Sequence, residues 1–202
     1  MLLLKNPIET QTLKYVIESK SDLNAENITK NTPLHFFLFQ NNNIQIENLK
    51  ILLENKANIN AKNTYGHNPL MGALEHNASK EMIYYMIENK ADINNIDKLN
   101  RNCLFYASKC EQPLEITKFF VENKVCINTR SDRKFNPLSN YVESSHCCLD
   151  TIKYLIDQKI DLDVEDKLPS PLNVSIRNER YDVGKLKFFF FFFLKFFFIL
   201  LF

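Results

Sequence analysis

The residues that could run a reaction are few, and their spacing argues against each reaction in turn. The chain holds four histidines and five cysteines: Cys103, Cys110, Cys126, Cys147 and Cys148. His146, Cys147 and Cys148 form the one local cluster. Zinc sites take paired ligands at spaced positions, whereas adjacent cysteines point apart on a helix or strand, so the cluster predicts no metal site. A cysteine nucleophile would need a placed histidine and an electropositive pocket, and no segment supplies them. Three glycines, with no G-x-x-x-x-G-K-[ST] or G-x-G-x-x-G run, leave no phosphate-cradling loop, and H-E-x-x-H is missing as well. Arg130, Arg133 and Lys134 form a short basic run interrupted by Asp132, which reads as a solvated loop tip. With 25 basic and 24 acidic side chains the formal net charge is +1, so the surface as a whole does not attract nucleic acid. The expectation is a chain with no cofactor, no metal, no nucleic-acid partner and no catalysis.

The element that positions everything else is a recurring cap. Thr32-Pro33-Leu34 returns as Asn68-Pro69-Leu70, Asn102-Cys103-Leu104, Asn136-Pro137-Leu138 and Ser170-Pro171-Leu172, at steps of 36, 34, 34 and 34 residues. Each first residue is a good N-cap, whose side-chain oxygen accepts from the first helical turn. Proline suits the next position, where its missing N–H would have no partner. A period in this range marks stacked supersecondary units. A second motif follows in each unit: Leu52-Leu53-Glu54-Asn55-Lys56-Ala57-Asn58-Ile59-Asn60 returns from Met86, Phe120 and Leu155, with an earlier copy from Val16. Apolar residues at helical spacing lead into each copy, as in Leu49, Leu52 and Leu53. The unit is therefore helix, turn, helix, extended loop.

At this point the chain resembles the ankyrin repeat family. Thr32-Pro33-Leu34-His35, the paired apolar residues closing the second helix and the Ala-Asn-Ile-Asn and Ala-Asp-Ile-Asn segments carry the likeness, from about Thr12 to Leu186. The resemblance implies an all-α solenoid of stacked helix-turn-helix units with hairpin-like loops. It divides the chain into a partial repeat (1–26), full repeats (27–62, 63–96, 97–130 and 131–164) and a degenerate partial repeat (165–187). His35 is then structural, bonding near the helix start and the adjacent loop, while His67 is expected to be an exposed loop residue. Lys20, Lys56, Lys90, Lys124 and Lys159 stand where the family usually ends its second helix with glycine, which predicts strained left-handed lysines and a weakly stable stack. Phe37 and Tyr141 put rings where Ala73 and Ala107 give the expected small residue.

The resemblance also implies a function, protein–protein interaction through the loop tips and the first-helix face. The loop-tip candidates are Thr64, Tyr65 and His67; Lys98, Leu99 and Arg101; and Asp132, Arg133 and Phe135. The first-helix candidates are Glu75, His76, Lys109, Cys110, Glu143 and Ser144. Tyr65, Arg133 and Phe135 are the expected anchors, because aromatic and Arg side chains dominate binding hot spots. An odd cysteine count without a C-x-x-C pair, and no cleavable signal at Met1-Leu2-Leu3-Leu4, predict a monomeric cytoplasmic protein with free thiols. Residues 188–202 are almost all phenylalanine and leucine. Three readings stay open for them: a sequence artefact over a homopolymeric stretch, a shallow membrane anchor, or a segment buried by a partner. A membrane-associated adaptor is the alternative function.

Overall fold

A computed structural model describes residues 10–39, 45–110, 112–144 and 148–161. Among these residues there are nine helices: α1 (Thr10–Glu18), α2 (Pro33–Leu38), α3 (Ile46–Glu54), α4 (Pro69–Glu75), α5 (Lys80–Glu88), α6 (Cys103–Ala107), α7 (Pro113–Glu122), α8 (Pro137–Glu143) and α9 (Leu149–Asp157). They form two layers. The short helices α2, α4, α6 and α8 pack in sequence against one another, and the longer helices pack alongside, α1 on α3, α3 on α5 and α7 on α9. The core runs between the layers. Leu34, Leu49, Leu70, Ile83, Leu104, Phe120 and Leu155 are all fully buried in it. Ser170 and the phenylalanine-rich tail lie outside the described residues. No helix among the described residues is long and apolar enough to cross a membrane.

The cap asparagines explain why the short helices start where they do. The side-chain oxygen of Asn68 accepts from the N–H of Met71 at 3.0 Å, that of Asn102 from Leu104 at 3.2 Å and that of Asn136 from Ser139 at 3.1 Å. The amide nitrogen of each makes a second bond. It donates to the carbonyl of Asp92 (2.9 Å), Cys126 (2.7 Å) or Asp161 (2.5 Å), on the segment leaving the long helix of the same unit. One side chain therefore ties the start of a helical pair to its finish; an ionised aspartate could not, having no donor, and a serine would have to make both bonds from one short-reaching oxygen atom.

His35 performs the corresponding task after Thr32. Its Nδ1 faces the Thr32 N–H at 3.2 Å and the Thr32 hydroxyl at 2.9 Å, and its Nε2 donates to the carbonyl of His67 at 3.1 Å in the next unit. That pairing requires a neutral ring protonated on Nε2. Burial holds the ring below the usual histidine range, in keeping with this tautomer. The expected structural role is what the geometry shows.

The long helices end as the lysines predicted. Lys20, Lys56, Lys90, Lys124 and Lys159 all have φ between +59° and +69°. The bonds of a Schellman motif surround them: Lys56 N–H to Leu53 O and Ala57 N–H to Leu52 O, both 3.0 Å, with the same pair at Lys90, Lys124 and Lys159. Beyond the lysines, a second set of asparagines joins one unit to the next. Asn60 accepts from the N–H of Asp92 at 2.8 Å and donates to Lys90 O at 2.9 Å; Asn24 does the same toward Asn58 and Lys56. The large rings are taken into the core. Tyr141 is fully buried and its hydroxyl bonds the hydroxyl of Thr117.

Left-handed lysines cost on the order of 1 kcal/mol each relative to glycine, less a few tenths recovered from the helix dipole. Replacing Lys56, Lys90 and Lys124 together by glycine is therefore expected to raise unfolding free energy by about 2 kcal/mol in urea titrations. Lys118→Gly, in the middle of α7, should instead lower it by about 1 kcal/mol.

Candidate binding surface

The loops between units follow one rule. Each begins with Asn27, Asn63, Asp97 or Ser131, whose N–H donates to the carbonyl four residues on, at 2.9–3.1 Å. The side-chain oxygen of the first three accepts the N–H groups of the third and fifth loop residues: Thr29 and Asn31, Tyr65 and His67, Leu99 and Arg101, all within 3.1 Å. The fourth loop residue takes a left-handed conformation in every case: Lys30 (φ 55°), Gly66 (77°), Asn100 (58°) and Lys134 (65°). Glycine has a second reason at Gly66, since a Cβ there would come within 3.1 Å of the Lys98 nitrogen.

The loops are fastened edge to edge by their backbones. The N–H of Thr64 donates to Thr29 O at 2.9 Å, that of Lys98 to Tyr65 O at 2.9 Å and that of Asp132 to Leu99 O at 3.0 Å. With the main chain committed inward, the third residue of each tip is left as variable surface. Tyr65 is 62% exposed and Leu99 51% exposed, and Arg133 is exposed as well. These candidates lie on one continuous edge. Thr64 is half-buried. Phe135, expected to be an anchor, packs partly buried against the core, and its carbonyl closes the loop onto Ser131.

His67 corrects the expectation of an exposed loop histidine. Its side chain is only 12% exposed and belongs to a polar cluster. Tyr106, on α6, donates to Asp97 Oδ2 at 2.5 Å; His67 Nε2 lies 2.8 Å from the Tyr106 hydroxyl and 3.4 Å from Asp97 Oδ2. Arg101 Nε reaches the same carboxylate oxygen at 2.8 Å, and its guanidinium lies over the Tyr106 ring at 5.0 Å. Burial alone would raise the Asp97 carboxyl. Hydrogen bonds from His67, Tyr106 and the Arg101 N–H, with the Arg101 charge, outweigh it and hold the group well below the usual carboxylate range. Burial and the Asp97 acceptor push the Tyr106 phenol up. Asp97 and Tyr106 were not singled out in the sequence; the signal available was that Asp97 falls on the loop-opening step with Asn27, Asn63 and Ser131.

The first-helix candidates are mostly engaged within the fold. Lys109 bonds Glu75 at 2.8 Å between α4 and the end of α6, and Glu75 also lies 4.0 Å from His67. His76 caps α4 with its ring 5.2 Å from that of Phe39. The Phe39 ring also occupies the space where a Cβ on Gly72 would sit, at 2.6 Å. Cys110 is 1% exposed with its thiol toward Leu74 O, so it is removed from any contact surface. The Ser144 hydroxyl donates to Ser108 O at 2.6 Å. Glu143 closes α8, and its side chain lies outside the described residues, as do His146 and Cys147. Cys103, Cys126 and Cys148 are free thiols, and among the described residues no group of three or more His, Cys, Asp or Glu side chains could hold a metal ion.

Paired helices stacked in two layers, with loops bolted edge to edge, define a repeat solenoid, a class whose surface is open along its whole length. The chain matches the family model for ankyrin repeats (3 copies) over residues 1–97 and 76–168. It belongs to the ankyrin repeat family, whose members in general are protein–protein interaction modules. Comparison with curated proteins finds no match to the chain.

The Asp97 cluster sets a pH test. A carboxyl depressed in the folded state contributes stability that is fully present above its unfolded pKa of about 3.9 and is lost as pH falls toward its folded value. Asp97→Ala is expected to cost about 2 kcal/mol at pH 7. In urea titrations the gap to the unsubstituted protein should narrow steadily below about pH 4; a gap constant down to the lowest workable pH would contradict this account.

Proposed function

We propose that this chain is a protein-binding scaffold rather than an enzyme, and that the partner lies along the loop-tip edge. The observation that carries the reading is the division of labour within the loops. Their main chains are consumed by internal and neighbouring bonds, while Tyr65, Leu99 and Arg133 stand exposed at equivalent positions of successive tips. A rigid support with variable side chains gives a partner contact at low entropic cost. The first-helix candidates Glu75, His76, Lys109 and Ser144 are secondary, because their polar groups or rings are already matched inside the protein. Free thiols at the described cysteines fit a reducing, cytoplasmic setting, and the reading needs only a monomer.

The test is partner capture by cross-linking with the triple variant Tyr65→Ala, Leu99→Ala and Arg133→Ala. These side chains are exposed, so circular dichroism and urea unfolding should stay unchanged. Partner recovery should fall about tenfold or more, as the loss of hot-spot residues predicts. A Glu75→Gln, Lys109→Gln variant should keep its partners. Full recovery by the triple variant would reject the loop edge as the binding surface.

A further inference from the structure

The charge and pitch of the loop edge narrow the chemistry of the partner, on the premise that this edge binds one. Arg101 is paired with Asp97, and Arg130 with Asp161 at 2.6 Å. The remaining exposed loop cations are Lys30, Lys62, Lys98, Arg133 and Lys134, against Glu26 and Asp132. Among the described residues none of the five cations enters an ion pair. The helix-ending lysines are balanced, by contrast, since each has an acidic residue two positions before it. The near-neutral chain therefore concentrates positive charge on one edge. Large apolar side chains lie among these cations: Ile28 is 97% exposed and Ile96 48% exposed, beside Tyr65 and Leu99.

The spacing selects a backbone conformation. Packed helices stand about 8–10 Å apart, and each loop is carried on its own helical pair. A polyproline II segment turns once in three residues and rises about 9.3 Å per turn, so every third side chain would meet a successive loop tip. A β-strand returns to the same face after about 6.6 Å and falls out of step. We infer that the loop edge takes an acidic segment of a partner protein in the polyproline II conformation, with an apolar residue at every third position. The apolar residues would rest against Tyr65, Leu99 and Ile28, with carboxylates between them facing Lys98 and Arg133. A single-stranded nucleic acid fits less well, because such strands are held by stacking on aromatic faces, and three of the four exposed apolar side chains are aliphatic.

The experiment titrates the full chain into fluorescein-labelled synthetic peptides and follows anisotropy. A (Leu-Pro-Glu)4 peptide should bind saturably, while (Leu-Pro-Lys)4 and (Ser-Pro-Glu)4 should bind about tenfold or more weakly. Lys98→Glu with Arg133→Glu should weaken the acidic peptide by about tenfold or more; Lys90→Glu, at the end of α5 and outside the loop tips, should leave it unchanged. Rising salt should weaken binding. No saturable binding of the acidic peptide, equal binding of the lysine peptide, indifference to the charge-reversed edge, or tighter binding of an oligouridylate probe would each overturn the inference. If the peptide fails while cross-linked partners still depend on Tyr65, Leu99 and Arg133, only the partner chemistry is wrong. If that dependence is lost too, the binding edge itself is wrong.

Discussion

The structure depends on the two-ended asparagine amide. A helix of five to seven residues, such as α6 or α4, is too short to be stable alone. The cap oxygen of Asn68, Asn102 or Asn136 satisfies an N–H that would otherwise be orphaned, and the amide nitrogen captures a carbonyl 24 or 25 residues later. The first bond starts the short helix; the second fixes where the long helix must deliver the chain. The Asn24 and Asn60 bridges then repeat the device between units. Buried main-chain groups need partners of this kind, and in this chain asparagine side chains provide them where strands are absent among the described residues.

Because these bonds settle the main chain, the loop tips are free to differ. The first loop residue accepts hydrogen bonds in three of the four loops, at Asn27, Asn63 and Asp97, and the fourth takes a left-handed backbone in all of them. The second and third positions carry few such demands, which is why tyrosine, leucine and arginine all occur at the third. Binding and folding thus draw on different residues of the same five-residue segment.

Much of this was legible in the sequence. The cap step named the starts of α2, α4, α6 and α8, and the Asn-Lys endings named where the long helices stop and which residues turn left-handed. Those features are local: cap and helix, or helix and terminator, lie within one turn. The polar cluster was not legible, because His67 meets Asp97 in the next loop and Tyr106 on the next short helix, and adjacent sequence shows neither. Cys110 and Phe135 were misjudged for a related reason. Their burial is set by what packs against them, the Leu74 carbonyl over Cys110 and the core beside Phe135, which adjacent sequence does not show.

The asparagine bonds have a kinetic consequence as well. Those that join the units span about one repeat of sequence, such as the 34 residues from Asn24 to Asn58 and the 32 from Asn60 to Asp92. Among the described residues these bonds ask no unit to search for a distant partner before it gains stability, so loop-closure costs stay small at each step. Assembly can begin at any adjacent pair of units and spread outward, and an end unit can detach while the middle stays folded. The molecule behaves as a row of coupled switches rather than a single one, and the length that is folded at a given moment is itself a variable.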